Sequence, residues 1–286
     1  MYNFFKDVDE HKFFQYTDLA CERRRADKSL PGIEYKSALC PIGTWEHVKV
    51  KDEDAAKAIG RPCGIYSTLN LAQLDLLDEE DVSDCIEEIA KRLCIICDDI
   101  SVMPAKLLIA GFGNEKLTAD SVGPKAAALV KPTMHIREYD EALFDSLECS
   151  EIAVIQPGVT IHTGIDSFAI IKSACESLAP DIIIAIDSIM THSKERLGAT
   201  VQISDTGIFP GGIGNLKHAI CRSSLGVPVI GIGVPTVMDL RCISNEYNSA
   251  ERGSPLYVSP REIDEITDTA AQIISGAINQ AFGFCY

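Results

Sequence analysis

Long apolar runs are missing from this chain of 286 residues, although 46% of its residues are hydrophobic. No stretch of 18 or more uncharged apolar residues occurs, so the sequence predicts no transmembrane helix. The first ten residues are acidic and lack the apolar core of a secretory signal. We therefore expect a cytoplasmic protein that has no membrane partner.

Basic residues are also scarce. The chain has 26 Lys and Arg against 42 Asp and Glu, which gives a net charge of −16. Nucleic-acid binding needs clustered Lys and Arg to neutralise phosphates, and the basic cluster here is only Arg23-Arg24-Arg25, interpreted as a solvated loop. The charge argues against direct nucleic-acid binding, whereas a basic protein substrate would be attracted to such an enzyme.

The eleven cysteines show no disulfide framework and no metal-ligand spacing. The CxxC pair Cys94 and Cys97 lies in an apolar helical pattern without a second Cys or His pair nearby. We interpret the cysteines as reduced thiols, mostly in the core, of a protein in a reducing compartment. The sequence also has no HExxH zinc motif and no GxSxG nucleophile motif, and we predict neither a metal site nor a cofactor.

Apolar runs of strand length alternate with helical patterns through most of the chain. After an arm and short strands in residues 1–66, residues 75–99 form an amphipathic pattern with apolar residues at steps of three and four. The predicted strands are 107–110, 135–139, 152–155, 182–186 and 227–232, with a hairpin-like stretch at 199–208. The predicted helices are one that begins near Pro124, a short acidic one between the strands 135–139 and 152–155, and two that cover 166–178 and 260–282, and residues 245–255 are a predicted loop. This alternation predicts a three-layer α/β/α fold with a mostly parallel sheet.

Two aspartates follow buried strands of this pattern. Asp120 comes after 107–110 and a glycine-rich turn, and Asp187 directly follows 182–186. Because ligands bind beyond the carboxyl ends of such strands, we expect both aspartates at the same rim of the sheet. Two carboxylates that share a rim can hold one proton and activate water. Asp120 could instead cap a helix, worth about 1 kcal/mol, and loop amides could satisfy Asp187.

Other polar residues lie in the same regions. Asp205 belongs to Ser-Asp-Thr-Gly, a match to the motif of pepsin-like proteases, but that fold is all-β and carries two such motifs. We interpret Asp205 as holding the loop Thr206-Gly207 by side chain to backbone bonds. His162 could contact substrate or act as a surface residue. The remaining candidates for orienting the aspartates or binding peptide are Asn114, Thr118, Thr163, Arg196 and Asn215.

The motifs around the aspartates resemble one known family. Gly111-Phe-Gly-Asn114 followed by Thr118-Ala-Asp120-Ser-Val-Gly-Pro124 is similar to the GNxxxTPDxLGP motif of the germination protease family, which degrades small acid-soluble spore proteins. The resemblance continues through Gln156 to Ile165, Ile184 to Asp187, Val201 to Asn215, Gly231 to Asp239 and Leu256 to Asp264. The resemblance covers nearly the whole chain in order, although residues 244–256 are shorter than the family's segment there.

The resemblance implies an endopeptidase whose catalytic residues are Asp120 and Asp187. It further implies a fold related to the hydrogenase-maturation proteases, small acid-soluble spore proteins as substrates, a location in the spore core and a homo-oligomer.

Processing of the N-terminus is also implied. Tyr16-Thr-Asp-Leu-Ala-Cys-Glu22 resembles both the start of the family's mature enzyme and the sequences that the family cuts. We expect a zymogen with a propeptide in residues 1–15, a cut near Gln15, Tyr16, Thr17 and Asp18, and a single peptidase domain in residues 16–286. The alternative is a frayed terminus followed by an ordinary strand.

Two other functions remain open from the sequence. One is a hydrogenase-maturation-type protease, in which a carboxylate pair and a His recognise nickel in the substrate. The other is a non-catalytic binding relative with the same fold. Nickel-dependent cleavage would identify the first, and a peptidase assay would distinguish the second.

Overall fold

A computed structural model describes residues 17–23, 30–209, 219–242 and 256–283 of the chain, and the structural statements below concern these residues. The predictions made for residues 1–16, for Asn215 and for the loop at 245–255 lie outside the described residues.

The strands form one sheet. They are β1 (Ile33–Cys40), β2 (Gly43–Val50), β3 (Gly64–Asn70), β4 (Lys106–Gly111), β5 (Glu151–Ile155), β6 (Ile182–Thr191), β7 (Thr200–Ser204), β8 (Val229–Asp239) and β9 (Tyr257–Val258).

The helices, in chain order, are α1 (Ala20–Arg23), α2 (Glu53–Ile59), α3 (Glu79–Asp99), α4 (Val122–Leu129), α5 (Met134–Tyr139), α6 (Glu141–Ser146), α7 (Thr160–Thr163), α8 (Ser167–Leu178), α9 (Arg222–Leu225) and α10 (Ile263–Phe282). Among the described residues, no helix is both long enough and apolar enough to cross a membrane.

The sheet has the order β1-β2-β3-β7-β8-β6-β4-β5, with β9 paired to β8. Strands β5, β4, β6 and β8 are parallel to one another, and β1, β2, β3 and β7 extend the sheet in antiparallel fashion from β8. The predicted α/β class is confirmed. The sheet is mixed, with its parallel half built by the β-α alternation that the sequence shows after residue 100.

Both faces of the parallel half are buried, which places the sheet between two helical layers. Successive residues of a strand point to opposite faces. In β4, Leu107 and Ile109 belong to the core cluster that contains residues of α3, α4 and α10. Leu108 and Ala110 belong to a second cluster with Ile171 of α8. Because alternate residues of β4 pack against helices on opposite faces, the sheet lies between two helical layers, as the apolar runs predict.

Most predicted elements of the parallel half occur with shifted ends. The helix predicted at 75–99 begins only at Glu79, because Asp78 accepts a hydrogen bond from the Asp81 amide and forms a capping box. The strand predicted at 182–186 continues to Thr191, because β8 pairs with β6 along this length.

The strand predicted at 135–139 is wrong, since these residues form helix α5. None of its side chains is fully buried, so the segment has no apolar face to present to a sheet. Arg137 instead forms an ion pair with Glu151 of the edge strand β5, at 2.7 Å. The segment therefore covers the edge of the sheet as a helix.

Candidate active site

Asp120 ends a short 3-10 turn between β4 and α4. The Asn114 amide donates to both the backbone carbonyl and the Oδ2 of Asp120, each at 2.9 Å. The hydroxyl of Thr236 in β8 donates to the carbonyl of Ala119 at 2.6 Å. The helix cap position belongs to Ser121, whose side chain makes no capping bond. The alternative of Asp120 as a helix cap is therefore wrong, because its carboxylate closes the preceding loop instead.

A close backbone approach brings this turn to strand β6. The Phe112 amide donates to the Ile186 carbonyl at 2.8 Å. A Cβ on Gly123 would lie 2.1 Å from the Phe112 oxygen and 2.5 Å from the Ile186 oxygen. Only glycine lets the start of α4 pack this closely against the two strands. The packing places the Asp120 turn beside the residue after Ile186, which is Asp187.

Asp187 lies inside β6, opposite Gly233 of β8, and the expectation that it follows the end of its strand is corrected accordingly. Its Oδ1 accepts a hydrogen bond from the Ser188 amide at 2.9 Å. The side chain is partly exposed and lines a cavity of about 680 Å³. The structure thus brings Asp187 and the Asp120 turn together and leaves Asp187 accessible from the cavity.

The surroundings of both aspartates favour the protonated form. Burial raises the pKa of Asp120, partly offset by the hydrogen bond from the Asn114 amide. Burial raises the pKa of Asp187 well above its usual range. The negative charge of Asp120 adds to this shift, the Ser188 amide opposes it and the charge of Asp18 adds to it. Two carboxyl groups that interact in this way titrate as a pair, and the first ionisation makes the second more difficult.

The cavity beside Asp187 lies between the parallel strands and the N-terminal segment that begins at Thr17. Asp18, Arg23 and Arg61 contribute charged groups to its wall. The remaining lining residues are Gly60, Tyr66, Ser188, Ile189, Met190, Gln202, Ser204, Thr206, Gly207, Ile208, Phe209, Gly231, Gly233, Val237 and Tyr257. The sequence did not identify Arg61 or Gln202 as site residues, since neither lies in a recognisable motif.

Asp205 lies next to the cavity and supports its wall. Its Oδ1 accepts a hydrogen bond from the Ile65 amide at 2.7 Å, which joins β3 to the end of β7. Its neighbours Thr206 and Gly207 line the cavity. Asp205 therefore joins the loop that follows it to the neighbouring strand β3, a contact that the sequence does not predict.

The other predicted site residues take local roles. The Thr118 carbonyl accepts from the backbone and side chain of Ser121. His162 and Thr163 are exposed on α7, where the Thr163 hydroxyl bonds to the Ile165 backbone within its own turn. Arg196 forms an ion pair with Glu46 of β2 at 2.6 Å. The contacts of these residues support the surrounding loops and strands.

Within the part of the chain that the structure describes, no group of three or more His, Cys, Asp or Glu side chains is arranged to hold a metal ion. Of the two CxxC cysteines, only Cys97 lies in the core as expected, since it is buried on α3 while Cys94 is exposed.

Most of the chain is similar to proteins of one known family. The family model described as "Germination protease" matches residues 14–249. A germination protease of Caldanaerobacter subterraneus is 34% identical over 93% of each chain. Those of Clostridium perfringens and Priestia megaterium are 31% and 35% identical, covering 93% and 84% of this chain and 94% and 68% of their own.

Among solved structures, the NiFe hydrogenase maturation protease HycI of Thermococcus kodakarensis is similar. It is 17% identical with a TM-score of 0.34, and the match covers 64% of this chain and 99% of that one. At this TM-score the similarity supports no argument.

The fold and the site define an α/β protein with two interacting carboxyl groups, of which Asp187 lines a cavity. The sequence relationships then assign it. The chain belongs to the germination protease family, and it is therefore a peptidase.

Proposed function

We propose that this protein is an endopeptidase that hydrolyses small acid-soluble spore proteins during germination, with Asp120 and Asp187 as its catalytic pair. The observation that carries the proposal is the position of Asp187, whose pKa is raised beside a cavity while the Asp120 turn packs against the same strand. A pair of this kind suits acid-base catalysis on a peptide bond. The names of the relatives support the germination role.

In the proposed mechanism, one carboxylate is ionised and takes a proton from water as the water attacks the scissile carbonyl. The other is protonated, polarises the carbonyl oxygen and then supplies a proton to the departing amine. Asp187 faces the cavity and has the more strongly raised pKa, which suits it to hold the proton at the start of the reaction. The buried backbone bonds of Asp120 hold the second carboxylate in place.

The proposal extends to processing, location and assembly. Residues 1–15 are a propeptide that the enzyme removes from itself, and residues 16–286 are the peptidase domain. The supporting observation is that the segment after the cut runs past the catalytic strand, where the Asp18 amide donates to the Met190 carbonyl at 2.7 Å. The protein acts as a homo-oligomer in the cytoplasm of the spore core, where its substrates are stored.

Cleavage of a purified small acid-soluble spore protein tests the proposed activity. The full chain is first kept at mildly acidic pH to allow self-processing and is also prepared without residues 1–15. Each form is incubated with this substrate and with an unrelated unstructured protein of similar length, and the products are identified by mass spectrometry. We expect discrete internal cuts in the spore protein only. Absence of cleavage would contradict the proposal and favour a binding relative, and cleavage that requires added nickel would favour the hydrogenase-maturation alternative.

Self-processing is tested with the full chain alone at mildly acidic pH. We expect a new N-terminus between Gln15 and Asp18, and no processing in Asp187→Asn. A fully active chain that still begins at Met1 would contradict the zymogen proposal.

A further inference from the structure

The N-terminal segment Thr17–Arg23 is attached to the far half of β6 at two places. At the first, the Asp18 amide donates to the Met190 carbonyl at 2.7 Å, and the Met190 amide donates to Asp18 Oδ2 at 3.0 Å. At the second, the buried carboxylate of Glu22 accepts hydrogen bonds from Thr191 and His192. Because β6 also carries Asp187, this segment fixes the strand a few residues beyond the catalytic position.

The other Asp18 oxygen is used for an ion pair. Asp18 Oδ1 accepts from Arg61 Nη2 at 2.8 Å, and the Arg61 side chain is only 6% exposed. The backbone carbonyl of Asp18 accepts a hydrogen bond from the side-chain amide of Gln202 at 3.3 Å. Asp18, Arg61 and Gln202 all line the cavity that Asp187 faces. A buried guanidinium needs a compensating charge, so the Asp18–Arg61 contact is costly to break.

We propose that Asp18 is a positioning residue of the active site, which stays with the enzyme after processing and, through its ion pair with Arg61, holds β6 and sets the charge around Asp187. This inference rests on the proposed function. It goes beyond that function because it proposes that Asp18, near the start of the processed chain, still positions the active site after processing.

The charges around Asp187 determine the direction in which substitutions of Asp18 and Arg61 should shift the pKa of Asp187. Among the described residues, Asp120 faces Asp187 from the turn before α4, and Asp18 faces it from the N-terminal segment. Arg23 and Arg61 add positive charges to the wall of the same cavity, and Gly233 opposite Asp187 on β8 carries no charge. Both carboxylates raise the pKa of Asp187. Arg61 compensates Asp18. Removing the Asp18 charge therefore lowers the pKa of Asp187, and removing the Arg61 charge raises it.

The experiment measures the pKa of Asp187 by carbon NMR of selectively labelled aspartate carboxyl groups. The full chain carries Asp120→Asn so that it stays uncut, and the Asp187 signal is identified by its loss in Asp187→Asn. We expect Asp18→Asn to lower the pKa of Asp187 by about half a unit or more and Arg61→Gln to raise it by a similar amount. Arg61→Lys, which keeps the charge, should return it to the starting value.

The matched control is Asp145→Asn, which removes one negative charge from an exposed position on α6 and should leave the pKa of Asp187 unchanged. A general loss of structure would move the pKa in the same direction in Asp18→Asn and Arg61→Gln. Shifts of the same sign in these two variants, or no shift in either, would overturn the inference.

A second measurement uses the pH dependence of kcat/KM for spore-protein cleavage, in the chain with Asp120 intact. The alkaline limb should move to lower pH in Asp18→Asn and to higher pH in Arg61→Gln. If the unmodified chain does not cleave, the proposed function fails, and the NMR titration alone decides the role of Asp18.

Discussion

At the scale of single residues, the site depends on carboxyl groups in places that disfavour their charge. Asp187 is surrounded by apolar strands and lies close enough to Asp120 for the two charges to interact. Its described hydrogen bond comes from the next residue in the chain, Ser188. A group whose pKa is raised on folding makes the folded state less stable at any pH where the unfolded chain has already ionised.

The difference in unfolding free energy between the wild type and Asp187→Asn should therefore depend on pH. Well below the ordinary aspartate pKa of about 3.9, Asp187 is protonated in both the folded and the unfolded state, so neither state bears a charge at this position. As the pH rises towards the raised folded pKa, the wild type loses stability relative to Asp187→Asn, by up to about 1.4 kcal/mol per pH unit. Urea unfolding at pH 4 to 7 measures the difference. A difference for Asp187→Asn that stays constant or shrinks with rising pH would contradict this account.

Asp120 and Asp187 could be selected from the sequence because each follows an apolar run that only a buried strand explains. Arg61 could not, because a buried arginine after a helix shows no periodicity or motif. The sequence indicates Asp18 only as part of the expected cut. Its role beside β6 cannot be predicted from the sequence, because its contact with Met190 joins residues 172 positions apart. Contacts of this kind depend on the fold and leave no local pattern.

At the scale of elements, the site depends on how closely α4 approaches β4 and β6. Gly123 has no room for a side chain between the carbonyl oxygens of Phe112 and Ile186. The turn that carries Asp120 leads directly into this helix. The distance between the two aspartates is therefore determined by backbone contact.

Gly123→Ala should move α4 away from β6. Overpacking of this kind costs about 1–3 kcal/mol or more in the free energy of unfolding, and displacement of Asp120 should reduce kcat about 100-fold. Denaturant unfolding and the cleavage assay measure the two effects. The control Ala128→Ser adds one atom at an exposed position of the same helix and should change neither. A Gly123→Ala enzyme with the turnover of the wild type would show that the close approach is unnecessary.

The ends of elements were the part of the fold that the sequence predicted least well. Strand β6 extends beyond Ile186 because β8 supplies a partner that the local sequence does not show. Helix α5 forms where a strand was predicted, at the edge of the sheet, where its Arg137 pairs with Glu151 of the neighbouring strand β5. In both cases the neighbouring element decided the outcome, and a pattern read along one segment cannot include its neighbour.

At the scale of the whole molecule, residues 17–23 pack against the antiparallel half of the sheet. Leu19 and Ala20 are fully buried in a cluster with Val48, Ile59 and Tyr66. Arg23 donates to the carbonyls of Thr17, Ile59 and Gly60. The alternation of strands and helices predicted the parallel half, but residues 1–66 lacked sustained periodicity. Strands β1 to β3 pair with their neighbours in the chain, but among the described residues this part joins the rest of the sheet only through the pairing of β3 with the distant strand β7.

Leu19→Ala should destabilise the protein by about 2–5 kcal/mol, the usual cost of removing a fully buried leucine side chain. The matched control is Leu39→Ala, since Leu39 is 89% exposed near the turn between β1 and β2 and its loss should change the stability by less than about 0.5 kcal/mol. Thermal unfolding of both variants measures the contrast. Equal melting temperatures would mean that the segment is not part of the core.

The most direct test of the account is the rate of spore-protein cleavage by Asp120→Asn and Asp187→Asn, with folding checked by circular dichroism and with Asp145→Asn as control. An amide keeps the shape of the side chain but cannot transfer the proton that the mechanism requires. The account predicts that each of the two variants folds and loses about three or more powers of ten in kcat, while Asp145→Asn keeps full activity. Turnover close to that of the wild type in either variant would contradict the claim that these two aspartates form the catalytic pair.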